Sequence, residues 1–203
     1  MTAALDSART GPVEEGQVGA GVGMSGFGWA GGIGTASRVA AGYTIGVLLL
    51  VNFGDAERLT VDGHHVGREL GRPDAPPVEG SCFCLVATDA PLLPHQLKRL
   101  ARRAALGLAR TGSVAGNGSG DLFVAFSTAN PDAGAAEGVV DLKMLPNDRM
   151  DRLFEATVGA TEEAIVNALV AGRTMTGHDG RSVPSIDHAQ LQAVLRKYGR
   201  LAR

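Results

Sequence analysis

The segment 81-SCFCLVATDAPLLPHQLKRLARRAALGLARTGSVAGNGSGDLFVAFST-128 decides the fold. It opens with an apolar run typical of a buried strand, continues through a stretch with helical spacing, and closes on a second apolar run at 122–128. A strand, a helix and another strand in this order predict a mixed α/β class in which helices cover a sheet.

The middle of that segment predicts a helix with Pro94 in its first turn and Gly112 just past its end. Apolar residues recur at helical spacing on one side, and the basic residues Lys98, Arg99, Arg102 and Arg103 occupy the other. We interpret the basic side as a solvated face rather than an anion site, because the chain as a whole is acidic.

Working outward, the nearly continuous apolar run at 43–52 predicts a strand buried on both faces. Residues 54–80 form a polar connector whose proline-rich end, PDAPPVEG, predicts an exposed loop where chain cleavage is tolerated. Residues 1–38 are glycine-rich with few periodic apolar positions, and residues 131–148 are expected to be irregular. Helices are predicted at about 150–171 and 187–198.

The composition excludes several classes of protein. With 203 residues, a net charge of −2 and 4% aromatic residues, the chain has neither the positive charge nor the stacking surface that nucleic acid requires. A membrane partner is not expected either, because no apolar run reaches the 18–20 residues or so that cross a bilayer. The N-terminus lacks the basic and apolar regions of a signal peptide, so we expect a cytoplasmic protein.

No cofactor and no metal are expected. The G-x-G-x-x-G pattern at 21–26 is followed by more glycine rather than by a helix, so it does not fit a dinucleotide site. Cys82 and Cys84 lie one residue apart, which suits small buried side chains on a strand better than a disulfide or a zinc site. A Ser-His-Asp triad stays open on sequence alone, although no G-x-S-x-G pattern is present.

From Ser81 onward the chain resembles the β-chain of the DmpA/BapA-type serine aminopeptidases, the β-peptidyl aminopeptidases of peptidase family S58. The resemblance is carried by ATDAPLLPHQL and GNGSGD within the segment quoted above, and by EATVGATEEAIVNALVAGRTMTGHDG (155–180) and VLRKYGRL (194–201) after it. Upstream, GGIGTASR (31–38) and YTIGVLLLVNFG (43–54) resemble the end of the family's α-chain.

The resemblance implies a precursor that cleaves itself between Gly80 and Ser81. Residues 1–80 would then be the C-terminal part of the α-chain and residues 81–203 the β-chain, the two together forming one domain. Ser81 would be the nucleophile. The chemistry agrees, since a serine hydroxyl needs a base, and cleavage frees an α-amine on Ser81 itself with an unperturbed pKa of about 7.7–8.0.

Other site residues follow from the resemblance alone. Ser119 is expected to hydrogen-bond the nucleophile, Asp121 to orient the α-amine and tune its pKa, and Asn52 to donate to the oxyanion. The loop that supports them would consist of Asn117, Gly118 and Gly120.

The implied fold is the four-layer αββα sandwich of the DmpA and ornithine acetyltransferase type, related to N-terminal-nucleophile hydrolases. The expected activity is hydrolysis of N-terminal residues from small peptides, amides or esters, by a homo-oligomer of αβ units. The family's α-chain is longer than the part before Ser81, so its N-terminal half, with a tyrosine near the oxyanion, is expected to be missing. The alternatives are an inactive homologue with a structural or interaction role and a related acyltransferase, although the latter group uses threonine as its nucleophile.

Overall fold

The computed structural model of the chain describes residues 2–71 and 80–201. In this part of the chain the strands are β1 (Ser25–Gly26), β2 (Trp29–Ala30), β3 (Gly32–Ala40), β4 (Tyr43–Val51), β5 (Cys82–Thr88), β6 (Leu122–Ser127), β7 (Met175–Thr176) and β8 (Ser182–Val183). The α-helices are α1 (Thr2–Asp6), α2 (Val66–Leu70), α3 (Pro94–Arg110), α4 (Asp151–Ala171) and α5 (His188–Lys197).

The main sheet has the order β3-β4-β5-β6, with antiparallel pairs at β3–β4 and β4–β5 and a parallel pair at β5–β6. The turn between β3 and β4 consists of Ala41 and Gly42, both at positive φ, which is the geometry of a two-residue hairpin turn. The parallel pair needs a crossover, and α3 supplies it. The predicted strand, helix and strand of residues 81–128 are therefore confirmed.

Helix α3 begins and ends where the sequence predicts. Pro94 is its first residue, and the Gln96 side chain accepts a hydrogen bond from the Leu93 N–H at 3.1 Å. Gly112 follows the end of the helix at positive φ. The basic side is only partly solvated, because the Arg99 and Arg103 guanidinium groups lie 5.2 Å and 3.9 Å from the centroid of the Phe154 ring on α4.

Helices α3 and α4 cover one face of the sheet and enclose the core with it. Alternate residues of β4 and β5 point into this core. Its fully buried members include Ile45, Leu49, Val51, Cys84, Val86, Leu100, Leu153, Ile165 and Leu169. Helix α4 lies so close to β3 that a Cβ at Gly34 would overlap the backbone oxygen of Ala164. A glycine at this position therefore sets the spacing between helix and sheet.

The opposite face of the sheet is apolar but only partly covered. On β4 the intervening residues Leu48 and Leu50 are half-buried, so the prediction of a strand buried on both faces is wrong. On β5 and β6 the exposed fractions are 40% for Phe83 and 62% for Leu122. The physical reason is that, within residues 2–71 and 80–201, both long helices pack on the other side.

Two regions hold more structure than their composition indicates. The glycine-rich N-terminal part contains the nine-residue strand β3, and the polar connector contains α2. Residues 131–148 lack strands and α-helices, as predicted, and have only short 3-10 turns. The proline-rich stretch 72–79 lies outside the described residues.

A polar cluster ties α5 to α2 and to the turn before it. The Glu69 carboxylate contacts the Lys197 Nζ at 2.9 Å and the His64 Nε2 at 3.3 Å, and the His64 ring stacks on Tyr198. Hydrogen bonds from Tyr198 and then Lys197 lower the pKa of Glu69 to about 2. The hydrogen bond to Glu69, followed by that to Tyr198, raises the pKa of Lys197. We call these four side chains the C-terminal clamp.

Candidate active site

Strand register alone brings three of the predicted site residues to one edge of the sheet. Val51, the last residue of β4, pairs with Cys82, the first residue of β5. Asn52 and Ser81 therefore lie side by side just beyond the end of this pair. Asp121 immediately precedes β6 and lies level with Cys82, since Leu122 pairs with Phe83 in the parallel ladder.

The Ser81 hydroxyl is held by the loop before β6. The backbone N–H of Gly120 donates to Ser81 Oγ at 2.7 Å. The same loop is closed by a hydrogen bond from the Ser119 N–H to the Gly116 oxygen at 2.8 Å. Ser81 is half-buried, so its hydroxyl is both fixed and accessible.

Asp121 accepts a hydrogen bond on the other side of the nucleophile. Its Oδ1 accepts from the backbone N–H of Cys82 at 2.7 Å. The carboxylate thus lies next to the peptide group that links Ser81 to Cys82, and one residue from the Ser81 nitrogen. A carboxylate in this position can hold a positive charge that develops on that nitrogen.

The side-chain amide nitrogen of Asn52 lies close to Gly80. The Ser25 backbone N–H donates to Asn52 Oδ1 at 3.3 Å, which turns the amide so that Nδ2 points the other way. A Cβ at Gly80 would lie 2.9 Å from that Nδ2 and would overlap the Asn52 backbone oxygen. The arrangement places a hydrogen-bond donor beside Gly80 and requires a glycine there.

The predicted residues are brought together unequally. Gly80, Ser81, Asn52 and Asp121 converge, and Ser119 lies half-buried in the adjoining loop. The hydrogen bond that reaches Ser81 Oγ comes from Gly120, a residue predicted only to support the loop. Asn117 and Gly118 are exposed in that loop.

Two contributors were missed at the sequence level. Ser25 orients Asn52 from 27 positions away, and its segment has no periodicity that would indicate the contact. The Gly120 N–H is a backbone group, which no side-chain pattern reveals. The glycines around Ser119 were the available signal, because they mark a loop whose backbone can approach other groups closely.

Three of the five histidines have partners outside this site. His64 belongs to the C-terminal clamp, His65 Nδ1 contacts the Thr60 hydroxyl at 3.0 Å, and His188 Nε2 contacts the Val170 oxygen at 2.9 Å. The contacts described above for Ser81 and Asp121 are all made with backbone N–H groups.

The two cysteines beside the nucleophile are buried core residues. Cys82 and Cys84 are free thiols on the helix-facing side of β5. Burial raises the pKa of Cys84 to about 12 and raises that of Cys82 as well. Both therefore stay protonated at neutral pH and serve as apolar side chains, as the sequence predicts.

Comparison with known protein families identifies the class to which this fold and site belong. The model of peptidase family S58 matches residues 1–183, so the chain belongs to peptidase family S58. Its β5–α3–β6 unit carries Ser81 and Asp121 at the ends of adjacent strands, within the matched region.

Individual relatives agree with this assignment. The β-peptidyl aminopeptidase BapA of Sphingosinicella microcystinivorans is 49% identical over 220 residues, which cover 98% of this chain and 56% of that protein. The solved L-aminopeptidase D-Ala-esterase/amidase of Ochrobactrum anthropi superposes with a TM-score of 0.89 at 46% identity and covers 98% of this chain and 57% of that one. That enzyme is described as a prototype of the serine aminopeptidases with a variant of the Ntn hydrolase fold.

A Burkholderia β-aminopeptidase superposes with a TM-score of 0.88 at 45% identity, over 99% of this chain and 59% of that one. The mixed α/β fold of the chain is therefore the fold of the DmpA-type Ntn hydrolases. The chain spans about half the length of the relatives it matches. Among the described residues, none of the helices combines the length and the apolarity that crossing a bilayer requires.

Proposed function

We propose that this chain is a self-processing serine aminopeptidase that acts through an acyl-enzyme on Ser81 after cleavage of its own Gly80–Ser81 bond. The observation that carries the proposal is that three groups from two separate segments of the chain lie around that bond. These are the Gly120 N–H on Ser81 Oγ, the Asp121 carboxylate next to Ser81, and the Asn52 amide beside Gly80.

Self-cleavage needs no group from outside the chain except water. Ser81 Oγ attacks the carbonyl carbon of Gly80, the bond from that carbon to the Ser81 nitrogen breaks, and the nitrogen takes up the proton that the hydroxyl loses. Water then hydrolyses the ester between Gly80 and Ser81 Oγ. This leaves a carboxylate on Gly80, and a free hydroxyl and α-amine on Ser81. We propose that Asn52 Nδ2, which lies close to Gly80, donates to the carbonyl oxygen while this oxygen carries negative charge.

Turnover then uses the amine that cleavage has released. The Ser81 α-amine accepts the hydroxyl proton as Oγ attacks a substrate carbonyl, and returns it to the leaving amine or alcohol. Water hydrolyses the acyl-enzyme by the same route in reverse. Asp121 favours the protonated amine, so its distance from the nitrogen sets how basic the amine is. The resemblance assigns Ser119 to a hydrogen bond with the nucleophile.

The proposed substrates are small peptides, amides and esters with a free N-terminal residue. BapA is named a β-peptidyl aminopeptidase, and the Ochrobactrum enzyme is named an L-aminopeptidase and D-Ala-esterase/amidase. Both substrate classes therefore belong in the assay. After cleavage, the hydrogen bonds between β4 and β5 would hold residues 1–80 and 81–203 together. We further propose that the αβ units assemble into a cytoplasmic homo-oligomer.

Two observations favour the alternative of an inactive homologue. An apolar face of the sheet is partly exposed, and the chain spans about half the length of the relatives it matches. In that case the four site residues would be in place but the Gly80–Ser81 bond would stay intact.

Intact mass of the purified chain separates the two readings. We expect two fragments that meet at Gly80 and Ser81, and a single uncut mass for Ser81→Ala. Cleavage that persists in Ser81→Ala indicates an external protease, and an uncut wild-type chain supports the inactive homologue. Where cleavage occurs, release of nitroaniline from L-, D- and β-aminoacyl nitroanilides tests turnover and substrate class.

A further inference from the structure

The peptide group between Ser119 and Gly120 is fixed more firmly than its exposed position suggests. The Ser119 N–H is tied to Gly116 and the Asp121 carboxylate to the Cys82 N–H, so hydrogen bonds hold the loop on both sides of Gly120. Between them, the Gly120 N–H reaches Ser81 Oγ at 2.7 Å, at the short end of the range for such bonds.

We propose that the backbone N–H of Gly120 is a catalytic group that stabilises Ser81 Oγ while this oxygen loses its proton. The inference rests on the proposed function and adds a group to it. An N–H can only donate, so the Ser81 oxygen must accept, and the hydroxyl proton is left free to go to a base. The bond strengthens as negative charge develops on the oxygen, which favours deprotonation.

This role belongs to both reactions of Ser81. In self-cleavage the same oxygen attacks Gly80, and in turnover it attacks the substrate. The donor is already aligned in the uncut chain, so it needs no reorganisation when the proton leaves. The fixed donor thus serves both reactions, and in turnover the free α-amine of Ser81 acts beside it as the base.

The chain offers a matched set of variants at this position. A Cβ at residue 120 would lie 3.6 Å from Ser81 Oγ, an ordinary van der Waals contact, so Gly120→Ala keeps the N–H without a clash. Gly120→Pro removes the N–H, although it also restricts the backbone of Ser119. Glycolic acid incorporated in place of Gly120 gives an ester in which an oxygen replaces the N–H, without the backbone restriction of proline.

The first measurement is the rate of self-cleavage by intact mass. We expect Gly120→Ala to remain within about tenfold of wild type, and the ester and proline variants to fall by roughly 10²-fold, the effect of losing one such donor. The ester variant should lose kcat with little change in KM. An ester variant that cleaves and turns over like wild type overturns the proposal and leaves the proposed function intact.

The second measurement does not depend on activity. In Ser81→Ala the acceptor is gone, so the Gly120 amide resonance should move upfield and its hydrogen exchange should accelerate. The Ser119 amide, which donates to Gly116, serves as the internal control. An unchanged Gly120 amide overturns the hydrogen bond itself. If the Gly120 amide differs between wild type and Ser81→Ala but the wild-type chain never cleaves, the hydrogen bond is present without the reaction. That outcome overturns the proposed function and the catalytic role together.

Discussion

Asn52 lies close to Gly80 through both its backbone oxygen and its side-chain nitrogen, and a Cβ on Gly80 would meet both atoms. The requirement for glycine is therefore steric. Backbone flexibility alone would not require glycine at residue 80, because a small residue elsewhere in the loop could also provide it. Here the second hydrogen of the α-carbon occupies space that no side chain can share.

Gly80→Ala is expected to slow self-cleavage by at least roughly 10²-fold, because a shift of about 1 Å in reacting atoms has an effect of that size. The new methyl group must displace either Gly80 or Asn52, and both belong to the reaction. Gly116→Ala is the control, since no atom lies within 4 Å of a Cβ there. Intact mass against time gives both rates, and equal rates for the two variants would contradict this account.

Candidate site residues could be proposed from the sequence, together with only part of their geometry. The resemblance supplied Ser81, Asn52 and Asp121, and the ends of the predicted strands placed each of them at a sheet edge. That the three ends coincide depends on the pairing of Val51 with Cys82, a long-range register that local pattern does not encode. The contributions of Ser25 and Gly120 come from backbone N–H groups and required coordinates.

At the scale of elements, apolar runs and helical spacing predicted β4, β5, β6, α3 and α4, since each has a continuous hydrophobic signal. The strand β3 was missed because its core-facing positions are Gly32, Gly34 and Ala36, which lack large side chains. These small residues let α4 approach the backbone directly. A strand with small residues at its core-facing positions therefore lacks the hydrophobic alternation by which a strand is predicted.

Gly34→Ala tests that close contact. The added methyl group would overlap the Ala164 oxygen, so α4 must move and the free energy of unfolding should fall by about 1–3 kcal/mol. Gly46→Ala on β4 is the matched control, because the nearest atom to a Cβ there is 4.0 Å away. Urea denaturation measures both, and a Gly34→Ala variant as stable as Gly46→Ala would show that the helix is not seated on the strand.

The C-terminal clamp should make the docking of α5 dependent on pH. The folded-state pKa of Glu69 is lowered from 4.5 to about 2, so its contribution is present above 4.5 and is lost as the pH falls toward 2. The pKa of Lys197 is raised, so its contribution depends on pH in the opposite direction. It is present at low pH and is lost as the pH rises through the raised pKa. Docking is thus favoured from mildly acidic to mildly alkaline pH.

Glu69→Gln should accelerate amide hydrogen exchange in α5 at neutral pH and remove its acid dependence between pH 4.5 and 2. The effect should be small, because the Glu69 side chain is 27% exposed and surface ion pairs contribute little. Glu155→Gln breaks an exposed pair with Arg152 within α4 and should leave α5 unchanged. Exchange in α5 that is the same in both variants would contradict the role of the clamp.

At the scale of the whole molecule, the two faces of the main sheet differ in what covers them. The face toward α3 and α4 holds the core, whereas Phe83, Leu122, Val124 and Phe126 on the other face are 40–62% exposed. Apolar side chains on a sheet normally lie against another layer of structure. This chain covers 56% of the BapA relative described above, which has further residues beyond the matched part. Composition could not reveal this asymmetry, because the alternation along β5 is masked by apolar residues on both faces.

The exposed face predicts strong binding of the dye ANS by the folded 203-residue chain. Replacing Leu122 and Val124 by threonine should lower the fluorescence markedly, since both residues lie on that face with exposed fractions of 62% and 45%. Threonine is β-branched, a shape that strands favour, so β6 should persist and stability should change little. Val139→Thr is the control, because Val139 is 99% exposed but lies in the irregular region rather than on the sheet. A loss of dye binding confined to the double variant locates the apolar surface on the sheet, whereas equal binding in all three proteins would mean that this face is covered in solution.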